Sequence, residues 1–321
     1  MPEIEVGDLR VHYQRLGSRE GETVVMVHGM LVDNLSSLYL TLAPVLVKAG
    51  MDVLLYDQRG HGRTQRPADG YTIDGAVADL IGLLDALGVD EPVHLLGNSY
   101  GALIAIETAL VHRERVRDLA LVEAHFAVEG WGDHVAHDLE LAGFGLGEDD
   151  VQQWLDEFGG RKLNRLARKV EALIYETTII EDLRDARPLP PDALRSLDLP
   201  AMAIYGEHSD AIDRAHELEA LLPRLEMNLF VDCAHSVLFE ATRTVRAVVG
   251  DWFARLRAGE DIVARSTKVA VGEQEGEGEE HQSHVDFYKA ELERRMGSAA
   301  AGTALRIAPR LRTGGDGGEG G

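Results

Sequence analysis

The chain has 321 residues, of which 45% are hydrophobic, and a formal net charge of −23 at pH 7. A chain of this length can bury the core of an α/β domain of about 250 residues. Its acidic balance argues against nucleic acid and anionic membranes as partners, because like charges repel. Cys233 is the single cysteine, which excludes an intrachain disulfide and fits a reducing compartment. Without a signal-peptide pattern or a membrane-length apolar run, the sequence predicts a cytoplasmic protein.

The first third of the chain shows the strand and helix signals of an α/β protein. Apolar residues alternate on either side of Gly7, which predicts an N-terminal β-hairpin. Continuous apolar runs at 23–27 and 51–56 predict buried strands, and helical patterns follow each of them, the second over 73–87. This alternation favours a mostly parallel central sheet with helices on both faces.

The pentapeptide Gly-Asn-Ser-Tyr-Gly at 97–101 lies between an apolar run at 92–96 and a helical pattern that begins at Ala102. A G-x-S-x-G sequence between a strand and a helix is typical of a turn that strains the serine backbone and exposes its hydroxyl. The helix that follows supplies free N–H groups and the positive end of its dipole, where a negative oxygen can be stabilised. Ser99 is therefore the predicted nucleophile.

Three titratable residues follow other predicted strands, at the edge where parallel sheets place their sites. Asp210 and His235 follow the last two predicted strands, and Glu123 follows the strand at 116–122. A serine nucleophile needs a base and a group that orients the base. His235 is the predicted base, and Asp210 is the predicted orienting acid.

A change of pattern divides the chain into three parts. The sequence predicts an α/β core of residues 1–125 and 198–257, interrupted at 126–197 by a mostly helical segment that prolines close. Such a segment can act as a cap that excludes water from a pocket. Residues 258–321 are rich in glycine and acids, so we expect a mostly disordered tail with a short helix over 284–296.

Residues 1–257 resemble a protein of the α/β-hydrolase fold with a helical cap. The resemblance is carried by the His-Gly pair at 28–29, the loop at 57–62, the pentapeptide around Ser99, and the late aspartate and histidine. Some members of that superfamily, the haloalkane dehalogenases among them, carry their acid after the strand that here precedes Glu123. By this resemblance, Glu123 is the alternative to Asp210 as the acid that orients His235.

By this resemblance, Ser99, His235 and Asp210 would form a catalytic triad. His235 would take the proton of Ser99 and later deliver it to the leaving group, while the acid would hold the imidazole tautomer. The backbone N–H groups of Met30 and Tyr100 would form the oxyanion hole.

A serine at the elbow excludes the carboxylate-nucleophile chemistry of dehalogenases and epoxide hydrolases with similar folds. The resemblance implies a carboxylesterase-like enzyme that cleaves an ester or thioester of a small to medium, largely uncharged acyl substrate through an acyl-enzyme. Neither a cofactor nor a metal is implied, since no His, Cys and acid cluster in the sequence has metal-ligand spacing.

Other functions within the same fold stay open. The Asn98–Ser99 pair is similar to the elbow of C–C bond hydrolases that act on diketo acids from ring cleavage, which would need Arg161, Arg165 or Arg168 to point into the pocket. The Asp-Gln-Arg-Gly loop resembles that of proline iminopeptidases, which would need acids on the helical segment. An elimination or cyclisation, or a ligand receptor, is a further alternative. The sequence leaves the oligomeric state open.

Overall fold

A sheet of nine strands lies at the centre of the computed structural model, which describes residues 2–147, 151–153 and 160–272. The strand order in space is β1-β2-β4-β3-β5-β6-β7-β8-β9. The strands are β1 Glu3–Val6, β2 Leu9–Gly17, β3 Thr23–Val27, β4 Asp52–Tyr56, β5 Val93–Asn98, β6 Val116–Val122, β7 Ala201–Gly206, β8 Leu225–Phe230 and β9 Arg265–Val269.

The hairpin β1–β2 is antiparallel, and β2 pairs antiparallel with β4. All pairs from β4 through β9 are parallel, so the carboxyl ends of β3, β5, β6, β7 and β8 share one edge. The predicted N-terminal hairpin and mostly parallel sheet are confirmed. This shared edge is where the candidate residues of five separate loops can meet.

Helices cover both faces of the sheet, and a helical insertion lies between β6 and β7. The helices are α1 Leu35–Thr41, α2 Ala43–Lys48, α3 Ile73–Ala86, α4 Tyr100–Val111, α5 Trp131–Gly147, α6 Gly160–Tyr175, α7 Ile179–Arg184, α8 Pro191–Arg195, α9 Ile212–Leu221, α10 Val237–Glu240 and α11 Thr242–Arg257. A 3-10 turn covers Arg113–Arg115. Within the described ranges, no helix has the length and apolar character needed to cross a membrane.

The two faces of the sheet carry separate apolar clusters because successive strand residues point to opposite sides. Val25 and Leu95 face α3, α4 and α9, whereas Met26 and Leu96 face α1, α2 and α11. Strands buried on both faces read as continuous apolar runs in the sequence, which is why they could be predicted. These two layers fix the strand ends against which the site loops are built.

The helical insertion, residues 126–197, has a small apolar cluster of its own. The cluster joins α5 to α6 and consists of Ala142, Leu146, Val151, Ala167, Val170 and Ile174. Leu31 and Val32, from the loop after β3, pack against it. The insertion therefore rests directly on a loop at the carboxyl edge of the sheet.

Two predicted helices are each divided in the structure. The pattern that ends at Gly50 forms α1 and α2, because Pro44 lies in the first turn of a new helix and favours a helix start. The last helix forms α10 and α11, because Ala241 leaves the helical conformation with φ −132° and ψ 39°. Apolar spacing continues across both breaks, so the pattern alone did not indicate them.

The predicted tail boundary at residue 258 is wrong. Strand β9 adds to the edge of β8, and Ile262 between α11 and β9 is buried. Buried Glu226 of β8 binds Arg265 of β9 and Arg255 of α11, each at 2.8 Å. A strand that forms one sheet edge can be short and polar, which is why its sequence did not stand out. The helix predicted over 284–296 lies outside the described residues.

Candidate active site

Ser99 occupies a strained turn between β5 and α4. Its φ is 53° and its ψ is −115°, a left-handed conformation that L side chains rarely adopt. The turn requires a residue without a Cβ at position 101, because a Cβ there would lie 2.1 Å from the carbonyl oxygen of Val27. The Ser99 N–H donates to the carbonyl of Val122 at 2.8 Å, which fixes the turn to β6.

His235 follows β8 and contacts Ser99 directly. Its Nε2 lies 3.1 Å from the Ser99 Oγ, within hydrogen-bond distance for proton transfer. The side chain is 24% exposed. The structure thus brings together two predicted residues that are 136 positions apart in the sequence.

Both candidate acids contact the other nitrogen of this ring. His235 Nδ1 lies 3.2 Å from Glu123 Oε2 and 3.2 Å from Asp210 Oδ1. The Glu123 side chain is fully buried, whereas that of Asp210 is 44% exposed. Burial alone would lower the pKa of His235, but its hydrogen bonds to Asp210 and Glu123 outweigh burial and raise that pKa to about 10.

Neighbouring donors hold the Glu123 carboxylate. The Gly206 N–H donates to its Oε1 at 2.6 Å, and the Ser209 hydroxyl donates to its Oε2. The backbone of Glu123 has a φ of 52°, a second strained position at the same sheet edge. Sequence analysis missed Ser209; its position one residue before Asp210 was the available signal.

The two residues predicted for the oxyanion hole come from two loops at the same cavity as Ser99. Tyr100 is the first residue of α4, and Met30 lies in the loop after β3; both line the cavity that contains Ser99. First-turn helix N–H groups have no intrahelical acceptor, so that of Tyr100 suits a negative oxygen. The Met30 loop is held by the Asp33 carboxylate, which accepts from the Gly29 N–H at 2.7 Å.

His61 also holds the loop that contains Met30, through a hydrogen bond from Leu31. Leu31 has a strained φ of 61°, and its N–H donates to His61 Nε2 at 3.0 Å. The opposite ring nitrogen, Nδ1, donates to the Arg59 carbonyl at 2.8 Å. Burial, with a smaller effect from His28, lowers the pKa of His61 to about 4, so the ring stays neutral and its Nε2 stays an acceptor.

A cavity of about 920 Å³ opens above Ser99 and His235. Helices α5 and α6 of the insertion form one of its walls. Their lining side chains are Trp131, His134, Val135, Asp138, Leu139, Ala142, Arg165, Leu166, Lys169 and Leu173. Of the three arginines considered from sequence, Arg165 lines this cavity, whereas Arg161 and Arg168 are not among its described lining residues.

Two positive side chains therefore lie along one wall of a mostly apolar cavity. Lys169 Nζ donates to the carbonyl oxygen of Gly62, and partial burial, the largest effect, lowers the pKa of this lysine.

A second histidine contacts His235. The centroid of the His125 ring lies 5.4 Å from the centroid of the His235 ring. Burial, followed by the charge of His235, lowers the pKa of His125 to about 3, so this second imidazole is neutral.

In the part of the chain that the structure describes, one group of side chains could bind a metal ion. It consists of Glu207, His208 and Asp232, whose ligand atoms lie within 4.8 Å of one another. Glu207 already binds Lys268 at 2.8 Å, and the other two side chains are exposed. These contacts are those of an ordinary network of surface charges.

Comparison with known proteins agrees with this architecture. The family described as the alpha/beta hydrolase fold matches residues 22–172. The proline iminopeptidase of Heyndrickxia coagulans is 25% identical over 284 residues, which cover 78% of this chain and 96% of that protein. The 2-hydroxymuconate semialdehyde hydrolase of Pseudomonas sp. strain CF600 is 27% identical over 225 residues, which cover 64% of this chain and 77% of that protein.

A solved structure shows the same fold. The enol-lactonase of Burkholderia xenovorans LB400 has a TM-score of 0.61 at 22% identity, covering 79% of this chain and 100% of that one. The chain has the α/β-hydrolase fold, and the sequence relatives described above are hydrolases of that fold.

Proposed function

We propose that this protein is a serine hydrolase that cleaves an ester or thioester of a small to medium acyl substrate through an acyl-enzyme on Ser99. The observation that carries the proposal is the distance of 3.1 Å between Ser99 Oγ and His235 Nε2 at a strained elbow. Strain of this kind persists where the surrounding structure fixes it, and it is common at active sites. The triad proposed from sequence fits this geometry.

In the proposed reaction, His235 Nε2 accepts the Ser99 proton as Oγ attacks the carbonyl carbon. The N–H groups of Met30 and Tyr100 stabilise the negative oxygen that forms. His235 then gives the proton to the leaving alcohol or thiol, and the acyl group stays on Ser99. Water attacks the acyl-enzyme with His235 again as base, which releases the acid and restores the serine.

The cavity supports a substrate with an apolar acyl part. Trp131, Val135, Leu139 and Leu173 supply apolar lining on the side of the insertion. Closure of that wall over Ser99 would exclude water from the attacking serine and strengthen the electrostatic contacts in the site. A cap role for the insertion is part of this proposal.

A second candidate function is hydrolysis of a C–C bond in an anionic diketo acid. Arg165 and Lys169 favour it, because both line the cavity and could bind a carboxylate. The similarity to the 2-hydroxymuconate semialdehyde hydrolase from Pseudomonas points in the same direction. A peptidase is less well supported: Glu171, one acid available for a substrate amine, instead accepts from Gln152 at 2.7 Å.

Hydrolysis of a p-nitrophenyl ester series, from acetate to decanoate, tests the first proposal. The wild type is compared with Ser99→Ala and with Ser196→Ala, a matched change at an exposed serine. We expect Ser99→Ala to lose at least about 10³-fold in kcat and Ser196→Ala to match the wild type. Equal turnover by Ser99→Ala would refute the acyl-enzyme.

The same enzymes, with a vinylogous diketo acid as substrate, distinguish the second candidate. If C–C cleavage is the reaction, Arg165→Gln should raise KM about tenfold or more by loss of a charge-assisted hydrogen bond. Arg161→Gln, on the same helix and exposed, is the matched control and should leave KM unchanged. An unchanged KM in both variants would assign Arg165 no part in substrate binding.

A further inference from the structure

The Nδ1 atom of His235 has one proton but two carboxylates at the same distance, 3.2 Å from each. We propose that Glu123 and Asp210 together position His235, so that either acid alone keeps its Nδ1–H in place and its Nε2 free to accept the Ser99 proton. This inference rests on the proposed serine-hydrolase function. It replaces the choice between the two acids with a shared role.

The structure holds the Glu123 carboxylate in a fixed position, where it can accept a hydrogen bond from His235 Nδ1. Its side chain is fully buried, and the Gly206 N–H and Ser209 hydroxyl hold its two oxygens. Its own N–H donates to the Ile204 carbonyl at 2.8 Å, which anchors a strained backbone between β6 and β7. A buried, hydrogen-bonded carboxylate is little screened by salt.

The Asp210 carboxylate differs from that of Glu123 in its exposure to solvent. Its side chain is 44% exposed and comes from the turn between β7 and α9, so solvent reaches the carboxylate. The adjacent Ser209 serves both acids: its hydroxyl donates to Glu123, accepts from the Ala211 N–H at 3.1 Å, and lies 3.5 Å from His235 Nδ1. One serine therefore couples the turn that carries Asp210 to the carboxylate of Glu123.

Other titratable groups near His235 do not duplicate this role. His125 on the loop after β6 is a neutral ring, and it meets His235 by ring contact. His134 and Asp138 of α5 line the same cavity from the insertion, and they lie 3.6 Å from one another. The two carboxylates are thus the acids that contact His235 Nδ1.

Replacing each acid by its amide tests the shared role. An amide N–H pointing at Nδ1 favours the wrong tautomer, with the proton on Nε2, unless a second carboxylate still accepts from Nδ1. We expect Glu123→Gln and Asp210→Asn each to lower kcat/KM by about tenfold or less, and the double variant to lower it by about 10³- to 10⁴-fold, the loss seen when a triad loses its orienting acid.

Matched controls remove one negative charge nearby, in the loop after β6 for Glu123 and in the first turn of α9 for Asp210. Glu129→Gln and Asp213→Asn, both at exposed positions, should leave kcat/KM unchanged. If either acid variant alone loses as much as the double variant, the other acid has no positioning role and the proposal is refuted. If Ser99→Ala keeps full turnover, the serine-hydrolase proposal itself fails, and the two failures are thereby distinguished.

A readout without substrate covers the case in which Glu123→Gln does not fold. ¹H–¹⁵N NMR of the His235 ring in Asp210→Asn should still show a protonated Nδ1 and a titration midpoint above 6.5, but lower than in the wild type. Raising the NaCl concentration from 20 mM to 1 M should lower the wild-type midpoint more than that of Asp210→Asn, because the lost carboxylate is the exposed one. A midpoint unchanged by Asp210→Asn would exclude Asp210, and a fall to 6.5 or below would exclude Glu123.

Discussion

The charge state of His235 makes the proposed activity depend steeply on pH. Because its two acid partners raise the pKa of His235 to about 10, the imidazolium predominates at neutral pH, and only the neutral fraction of the ring can accept the Ser99 proton. With that pKa, only about one enzyme in 10³ carries the neutral base at pH 7, and the fraction rises tenfold per pH unit. Ser99-dependent kcat/KM should therefore increase by up to about 10³-fold between pH 7 and pH 10.

The assay is single-turnover or steady-state hydrolysis of an alkyl ester, whose background hydrolysis stays slow in alkali. Ser99→Ala, measured at every pH, gives the background to subtract. Asp210→Asn should shift the inflection to lower pH, because one of the two groups that stabilise the imidazolium is gone. A wild-type profile that is already flat above pH 7 would refute the proposed effect of the two carboxylates.

The same pKa shift acts on folding, with a definite sign. A His235 pKa raised from 6.5 to about 10 favours the folded state fully below pH 6.5, and this contribution is lost as the pH rises through 10. At about 1.4 kcal/mol per pKa unit, the free energy of unfolding should fall by roughly 5 kcal/mol across that range. Urea unfolding of wild type and His235→Gln between pH 6 and pH 10 measures it; parallel curves for the two proteins would contradict the shift.

Three further predictions concern the framework of the site. Gly101→Ala should lower stability by about 3 kcal/mol or more, because its Cβ would lie 2.1 Å from a β3 carbonyl oxygen, whereas Gly147→Ala, with open space around it, should not lower Tm. His61→Phe should lower kcat by about 10- to 100-fold with little change in KM, because the N–H of Leu31 loses its acceptor and the Met30 loop loses support. His61→Gln should retain more activity than His61→Phe. Equal kcat values for the two variants would argue against this role of His61. Glu226→Gln should lower stability by about 3 kcal/mol, because the two arginines that join β9 and α11 to β8 lose a buried carboxylate. Ser99-dependent activity should persist in this variant. An unchanged Tm in a thermal scan would argue against the prediction.

Local patterns in the sequence were enough to predict the sheet and the elbow. Continuous apolar runs predicted the parallel strands, and the pentapeptide at the end of one of them predicted the strained position of Ser99. His235 could be predicted because its place after the last strand of the core follows from chain order. These features depend on residues that are close together in the sequence.

The tertiary structure decided what depends on distant contacts. From sequence, Glu123 and Asp210 were alternatives; in the structure both lie 3.2 Å from His235 Nδ1, because β6 and β7 are adjacent in the sheet and end at one edge. The place of Arg165 in the cavity lining depends on how α6 packs over the loop after β3, and strand β9 depends on the unpaired edge of β8. Each of these outcomes is set by the distance between segments far apart in the chain, which apolar periodicity does not encode.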